Sequence, residues 1–239
     1  MNRNFQTHQT ELLNIYVNVS ECEQMALFSG INFNDFIDCE QISIENILLL
    51  KSGYTGERIW RNFELLEGKE DISKLIFDNV RNYGNFCFVD YLNNDSLNQL
   101  SEEQIAELLY LAHMFKPLKS PFFEGLQNKF AYLSHDDGWY CKLYFKESDI
   151  PISILINKLQ KNIRMTLHND EYTLSEDLIA AIKKLSVKGL LISSAFSMQH
   201  GNECMVQLYE VGEVENMDVL FNTFEQNKLP ASFEIQITI

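Results

Sequence analysis

From Phe233 to Ile239, four apolar side chains (Phe233, Ile235, Ile237 and Ile239) alternate without a break with Glu234, Gln236 and Thr238. A period of two puts the apolar residues on one side of a strand and the polar ones on the other. Such a strand packs one face on a second layer and turns the other to water, the pattern of an antiparallel sheet backed by helices. The same period appears earlier, where Leu13, Ile15, Val17 and Val19 alternate with Asn14, Tyr16 and Asn18.

Between these strands the spacing changes to three and four. Ile72, Leu75, Ile76, Val80 and Tyr83 share one helical face, with Gly84 as the stop. A helix over 102–116 has the clearest start in the chain: Ser101 caps it, Gln104 closes a capping box, and Pro117 marks its end. Further helices are expected from about Pro151, over 175–188, and around Met217–Phe224. Phe86–Tyr91 reads as a short apolar strand. Ser20-x-x-Glu23 looks like a capping box opening a short helix that stops at Gly30. Residues 31–70 are ambiguous, and Ile44–Leu50 fits either a buried strand or a helical turn.

Two hairpins complete the pattern. Phe130–Ser134 and Trp139–Phe145 flank His135-Asp136-Asp137-Gly138, where Asp-Gly favours a positive-φ turn. Strands over about 190–198 and 203–211 flank Gln199-His200-Gly201-Asn202. The order helix, hairpin, helix thus occurs twice, over 102–163 and 175–227. The expected fold class is α+β, with antiparallel sheets backed by helices. Pro117–Pro121 is the expected hinge between an N-terminal half, 1–120, and a C-terminal half, 121–239, unless the two form one continuous domain. A dinucleotide fold is excluded, since no GxGxxG occurs. Lys51-Ser52-Gly53-Tyr54-Thr55-Gly56 lacks the GxxxxGK[ST] order of a phosphate loop.

Apolar residues make up 46% of the 239 and are spread along the whole chain. A compact fold of this mass exposes roughly 11,000 Å² against roughly 40,000 Å² for the extended chain, so a core forms without staples. Nineteen Lys and Arg stand against 34 Asp and Glu, a net charge of -15. That balance argues against a nucleic-acid partner, whose affinity comes from clustered cations. Residues 1–50 hold one cation and seven carboxylates, as do residues 189–239, so the ends either form a solvated acidic surface or face a basic partner. The longest uncharged run, Gly189–Asn202, is too short and too polar to cross a bilayer. No secretory start is apparent, and five scattered cysteines without a CxxC pair fit a reducing cytoplasm. Asn outnumbers Ala 22 to 8, a bias that accompanies AT-rich genomes and suggests a bacterial source.

The sharpest polar cluster is Ser134-His135-Asp136-Asp137. Neighbours on a strand point to opposite faces, so these four cannot converge as a hydrolytic triad. His135, Asp136 and Asp137 could supply part of a metal shell, joined in space by His168 and Asp170 of a second cluster, His168-Asn169-Asp170-Glu171. The bland alternative is that both clusters form turns and cap helices. His200-Gly201-Asn202-Glu203 reads as a turn and His113 as a boundary histidine. Cys22 would sit in a first helical turn, but Glu21 and Glu23 oppose thiolate formation. Lys158, Lys161 and Arg164 form a stripe able to hold an anion or to pair with carboxylates.

Aromatic residues interleave through the first hairpin: Tyr132, Trp139, Tyr140, Tyr144 and Phe145. Because both of its faces carry rings, one must be covered by a second layer or by a partner. The leading expectation is a non-enzymatic cytoplasmic protein, without cofactor or metal, that binds another protein, a basic one fitting best. An inhibitor or immunity-type protein masking a cationic toxin or nuclease is its concrete form. Tyr132, Trp139, Tyr140, Tyr144, Asp136 and Asp137 would make the contact. The alternatives are a small metal-dependent hydrolase built on His135, Asp136, Asp137, His168 and Asp170, and a purely structural subunit.

Overall fold

The computed structural model describes residues 10–39, 42–51, 59–77, 86–134, 140–197, 203–214, 216–227 and 230–238. The described residues form eleven strands and seven helices, an α+β fold in which every strand pair with a defined register is antiparallel. In chain order these are β1 (Thr10–Ser20), β2 (Met25–Ser29), α1 (Phe33–Ile37), β3 (Asn46–Lys51), β4 (Ile59–Trp60), β5 (Phe63–Glu67), α2 (Gly68–Phe77), β6 (Phe86–Asp90) and α3 (Asn94–Leu97). Then follow α4 (Glu102–Met114), β7 (Phe130–Ser134), β8 (Cys141–Phe145), α5 (Ile150–Leu167), α6 (Glu176–Ser186), β9 (Leu190–Ser197), β10 (Glu203–Glu210), α7 (Met217–Asn227) and β11 (Phe233–Thr238). No helix among the described residues is long and apolar enough to cross a membrane.

The chain divides into two compact units, 19–154 and a discontinuous one drawn from 1–18 and 155–239. Pro117 and Pro121 lie inside the first, in the connection from α4 to β7.

In the 19–154 unit the strands run in the order β2-β8-β7-β6-β3-β5-β4. Register fixes two faces. Met25, Tyr144, Ala131, Val89 and Leu48 stand in one row across five strands, and Ala26, Leu143, Tyr132, Phe88 and Leu49 stand in the adjacent row on the opposite face. The first face packs against Leu97 of α3 and Leu108, Leu111 and Ala112 of α4, with Phe123 and Leu126 from the connection that follows. The second face receives Phe33 and Phe36 of α1, whose rings meet Phe88 and Tyr132 at centroid distances of 5.0–5.5 Å.

Local chemistry explains these helices. Ser101 Oγ accepts the Gln104 N–H at 3.2 Å and Gln104 Oε1 accepts the Ser101 N–H at 3.0 Å, so two orphan donors of α4 are satisfied reciprocally. Ser101→Ala is therefore expected to cost about 1 kcal/mol, read as a lower urea midpoint at unchanged slope. The helix stops two residues before Pro117, at Phe115, which takes a left-handed conformation (φ 55°). Lys142 Nζ donates to the Phe115 carbonyl at 3.2 Å, placing a cation at the negative end of the helix dipole. Burial lowers the Lys142 pKa, and Glu23 offsets part of the shift. Short α1 and α3 use the same reciprocal bonding with other residues, Asn32 with Asp35 and Asn93 with Ser96.

The expected helix after Ser20 is not formed. Residues 21–24 make a turn with Gln24 at φ 49°, and Met25–Ser29 is a strand paired with β8. Strand pairing that buries Ala26 and Phe28 outweighs a capping signal worth about 1 kcal/mol. Ser20 Oγ instead lies 3.6 Å from Cys22 Sγ. The ambiguous segment at 44–50 is a strand, β3, buried at Ile47, Leu48 and Leu49.

In the second unit the strand order is β11-β10-β9-β1. Tyr16, Leu191 and Tyr209 form one row and pack against Met217 and Leu220 of α7, with the Phe224 ring 4.9 Å from that of Tyr209. The adjacent row on the other face, Ile15, Ile192 and Leu208, is fully buried. Helix α6 packs against β9 and β10 and opens on Ser175, whose side chain accepts the Leu178 N–H.

Candidate functional site

The first hairpin carries most of the expected recognition residues, and residues 135–139, between its two strands, lie outside the described residues. His135, Asp136, Asp137 and Trp139 therefore have no described position. Tyr132 and Tyr144 do, and both are interior. Tyr132 is 2% exposed, its ring stacked on Phe88 (5.1 Å, 11°) and Phe86 (5.8 Å, 23°) beneath Phe33 and Phe36. Burial pushes its hydroxyl pKa well up and lifts the neighbouring Cys141 thiol to about 12, so this hydrogen-bonded pair stays neutral. Tyr144 is 6% exposed on the opposite face, among Leu48, Val89, Ala131 and helix α4, and burial raises its pKa to about 12. Helices α1 and α4 supply the second layers over these two rings. Tyr140, the residue before β8, is half-buried.

His168 and Asp170 are exposed in the loop after α5. The loop is held by its own bonds: Arg164 Nε donates to the Tyr172 carbonyl at 2.7 Å, and Asn169 Oδ1 accepts the Glu171 N–H at 3.0 Å. His168 takes the left-handed conformation (φ 51°) that closes the helix. Its segment thus has a local structural account. Arg164 thus spends its Nε–H on this loop. Among the described residues no three His, Cys, Asp or Glu side chains are placed to hold a metal ion.

Sequence reasoning missed two buried acids, Asp35 in the cap of α1 and Asp90. Asp90 ends β6 at 8% exposure, and its carboxylate accepts the Lys129 N–H at 2.9 and 3.0 Å and the Phe130 N–H at 2.7 Å. Burial raises its pKa to about 6, against the lowering pull of those same bonds. Asn128 beside it is fully buried, accepting the Phe123 N–H and donating to the Pro121 and Phe130 carbonyls. The sequence signal was an aspartate closing an otherwise apolar strand. These two side chains anchor the connection from α4 to β7, which makes their role architectural.

What the surface does concentrate is negative charge. The segment 19–154 holds 22 carboxylates and 11 cations, against 12 and 8 in the remainder. Some are paired: Arg61 bonds Glu102 at 2.8 Å, and Lys119 bridges Glu103 and Glu107 at 2.6 and 2.8 Å. These pairs are largely exposed, where an ion pair adds little to stability. Glu21, Glu23, Asp95, Glu124, Glu147 and Asp149 are further exposed carboxylates of the same unit. No family model matches the chain, and no curated protein or solved structure matches it either.

Proposed function

We propose that this protein is a non-enzymatic protein-binding protein whose acidic exterior recognises a basic partner, as an inhibitor or immunity-type protein masks a cationic toxin or nuclease. The observation that carries this reading is the two-to-one excess of carboxylates over cations within the single unit 19–154. A charge excess of that size produces a field that draws in an opposite charge and speeds its capture. With Tyr132 and Tyr144 in the interior, the contact falls to the carboxylates and to the hairpin residues Asp136, Asp137, Trp139 and Tyr140. All five cysteines are free thiols, four of them buried, which supports residence in a reducing compartment such as the cytoplasm.

Affinity capture from native lysate tests the reading. At about 50 mM salt the chain is expected to return one stoichiometric partner of high pI, and at about 300 mM to lose most of it, because screening shortens the reach of the field. A bait that comes back alone across several growth conditions, or a partner indifferent to salt, overturns the reading.

A further inference from the structure

A strand at the end of a sheet leaves a row of backbone N–H and C=O groups unpaired, and folded proteins blunt such edges with Lys, Pro or a bulge. β11 has none of these. Its sequence is Phe-Glu-Ile-Gln-Ile-Thr, it pairs with β10 in unbroken register from Phe233↔Leu208 to Thr238↔Glu203, and among the described residues no strand pairs with its outer edge. Phe233 and Ile235 stay only half-buried although they share the face of buried Leu208 and Val206. The side chains a further strand would cover are thus the apolar ones.

The geometry points to a second copy of this chain, paired antiparallel along the outer edge of β11 about a two-fold axis at Ile235. The occupant follows from self-complementarity. In that register Ile235 faces Ile235 and Phe233 faces Ile237 on the apolar face, while Glu234 faces Gln236 on the polar face. A slip of one residue in one copy sets apolar against polar side chains, and an axis at Glu234 sets two carboxylates together. A basic strand would find only one carboxylate here. This pairing is independent of the basic partner proposed above and is tested on the purified chain alone.

Sedimentation equilibrium at about 0.15 M salt, where the screening length of about 8 Å mutes the overall charge of the copies, reads the dimer constant. Gln236 stands directly opposite the uncharged Met205 within the chain. Gln236→Glu sets a carboxylate against Glu234 of the other copy twice per dimer and is expected to weaken the dimer about 2- to 30-fold, and Gln236→Lys to tighten it by a similar factor. Amides of 233–238 are expected to exchange more slowly as wild-type concentration rises. A wild-type chain that stays monomeric at about 100 μM overturns the proposal. So do two variants that shift the constant in the same direction or not at all, or β11 amides whose exchange ignores concentration.

Discussion

Asp90→Ala is expected to lower the unfolding free energy by about 3 kcal/mol, because it strands the N–H groups of Lys129 and of buried Phe130. Asp90→Asn keeps both bonds through Oδ1 and separates bonding from charge. The native pKa of about 6 lies above the ordinary value of 3.8, so between them the folded protein binds more protons than the unfolded chain. The stability contributed by the protonated acid is fully present below about pH 3.8 and is lost as pH rises through about 6. Its limiting size is about 3 kcal/mol, from 1.36 kcal/mol per pKa unit. Other carboxylates titrate in the same window, but they are shared by both proteins, and the difference isolates Asp90. Urea unfolding at pH 4, 5, 6 and 7 is therefore expected to show wild type losing ground to Asp90→Asn up to about pH 6 and holding level above it. Parallel curves from pH 4 to 6 would mean that the native carboxyl titrates normally.

Tyr132 and Asp90 show where sequence reading stops. The ring pattern along 139–145 marks a strand with two dressed faces and demands a cover for one of them. It does not say whether the cover is intramolecular. The cover over Tyr132 is α1, only five residues long and capped by an Asn–Asp pair, in the stretch 31–70 where periodicity is weakest. Five residues hold too few turns to show a period of 3.6. Helix α4 was legible because thirteen residues and a capping box agree. The turn at Ser20 failed for the opposite reason: a local capping signal competed with strand pairing whose partner, β8, lies more than a hundred residues away. Charge was legible as a total, while its concentration in 19–154 required knowing which segments fold together.

Gly189→Ala in the second unit is expected to cost about as much as losing the Asp90 carboxylate. Gly189 follows α6 at φ +80°, and a Cβ there would overlap the backbone carbonyl of Gly212 and lie 2.9 Å from its Cα. The obstacle is backbone and cannot swing aside. It is also pinned, since the Gly212 carbonyl accepts the Tyr16 hydroxyl at 3.0 Å, which in turn accepts the Val214 N–H at 3.1 Å. Relieving the overlap means moving that clamp or the Val211 N–H bond to the Gly189 carbonyl, at the point where α6 hands over to β9. About 1 kcal/mol for the left-handed conformation and about 2 kcal/mol for the forced displacement give a loss near 3 kcal/mol. Gly212 supplies the internal control: it shares φ +80°, but a Cβ there meets nothing within 4 Å. Gly212→Ala should therefore cost only the conformational part, about 1 kcal/mol. Urea midpoints of the two variants would then differ clearly, and equal losses would show that backbone conformation alone, rather than the close approach of the two glycines, selects glycine at 189.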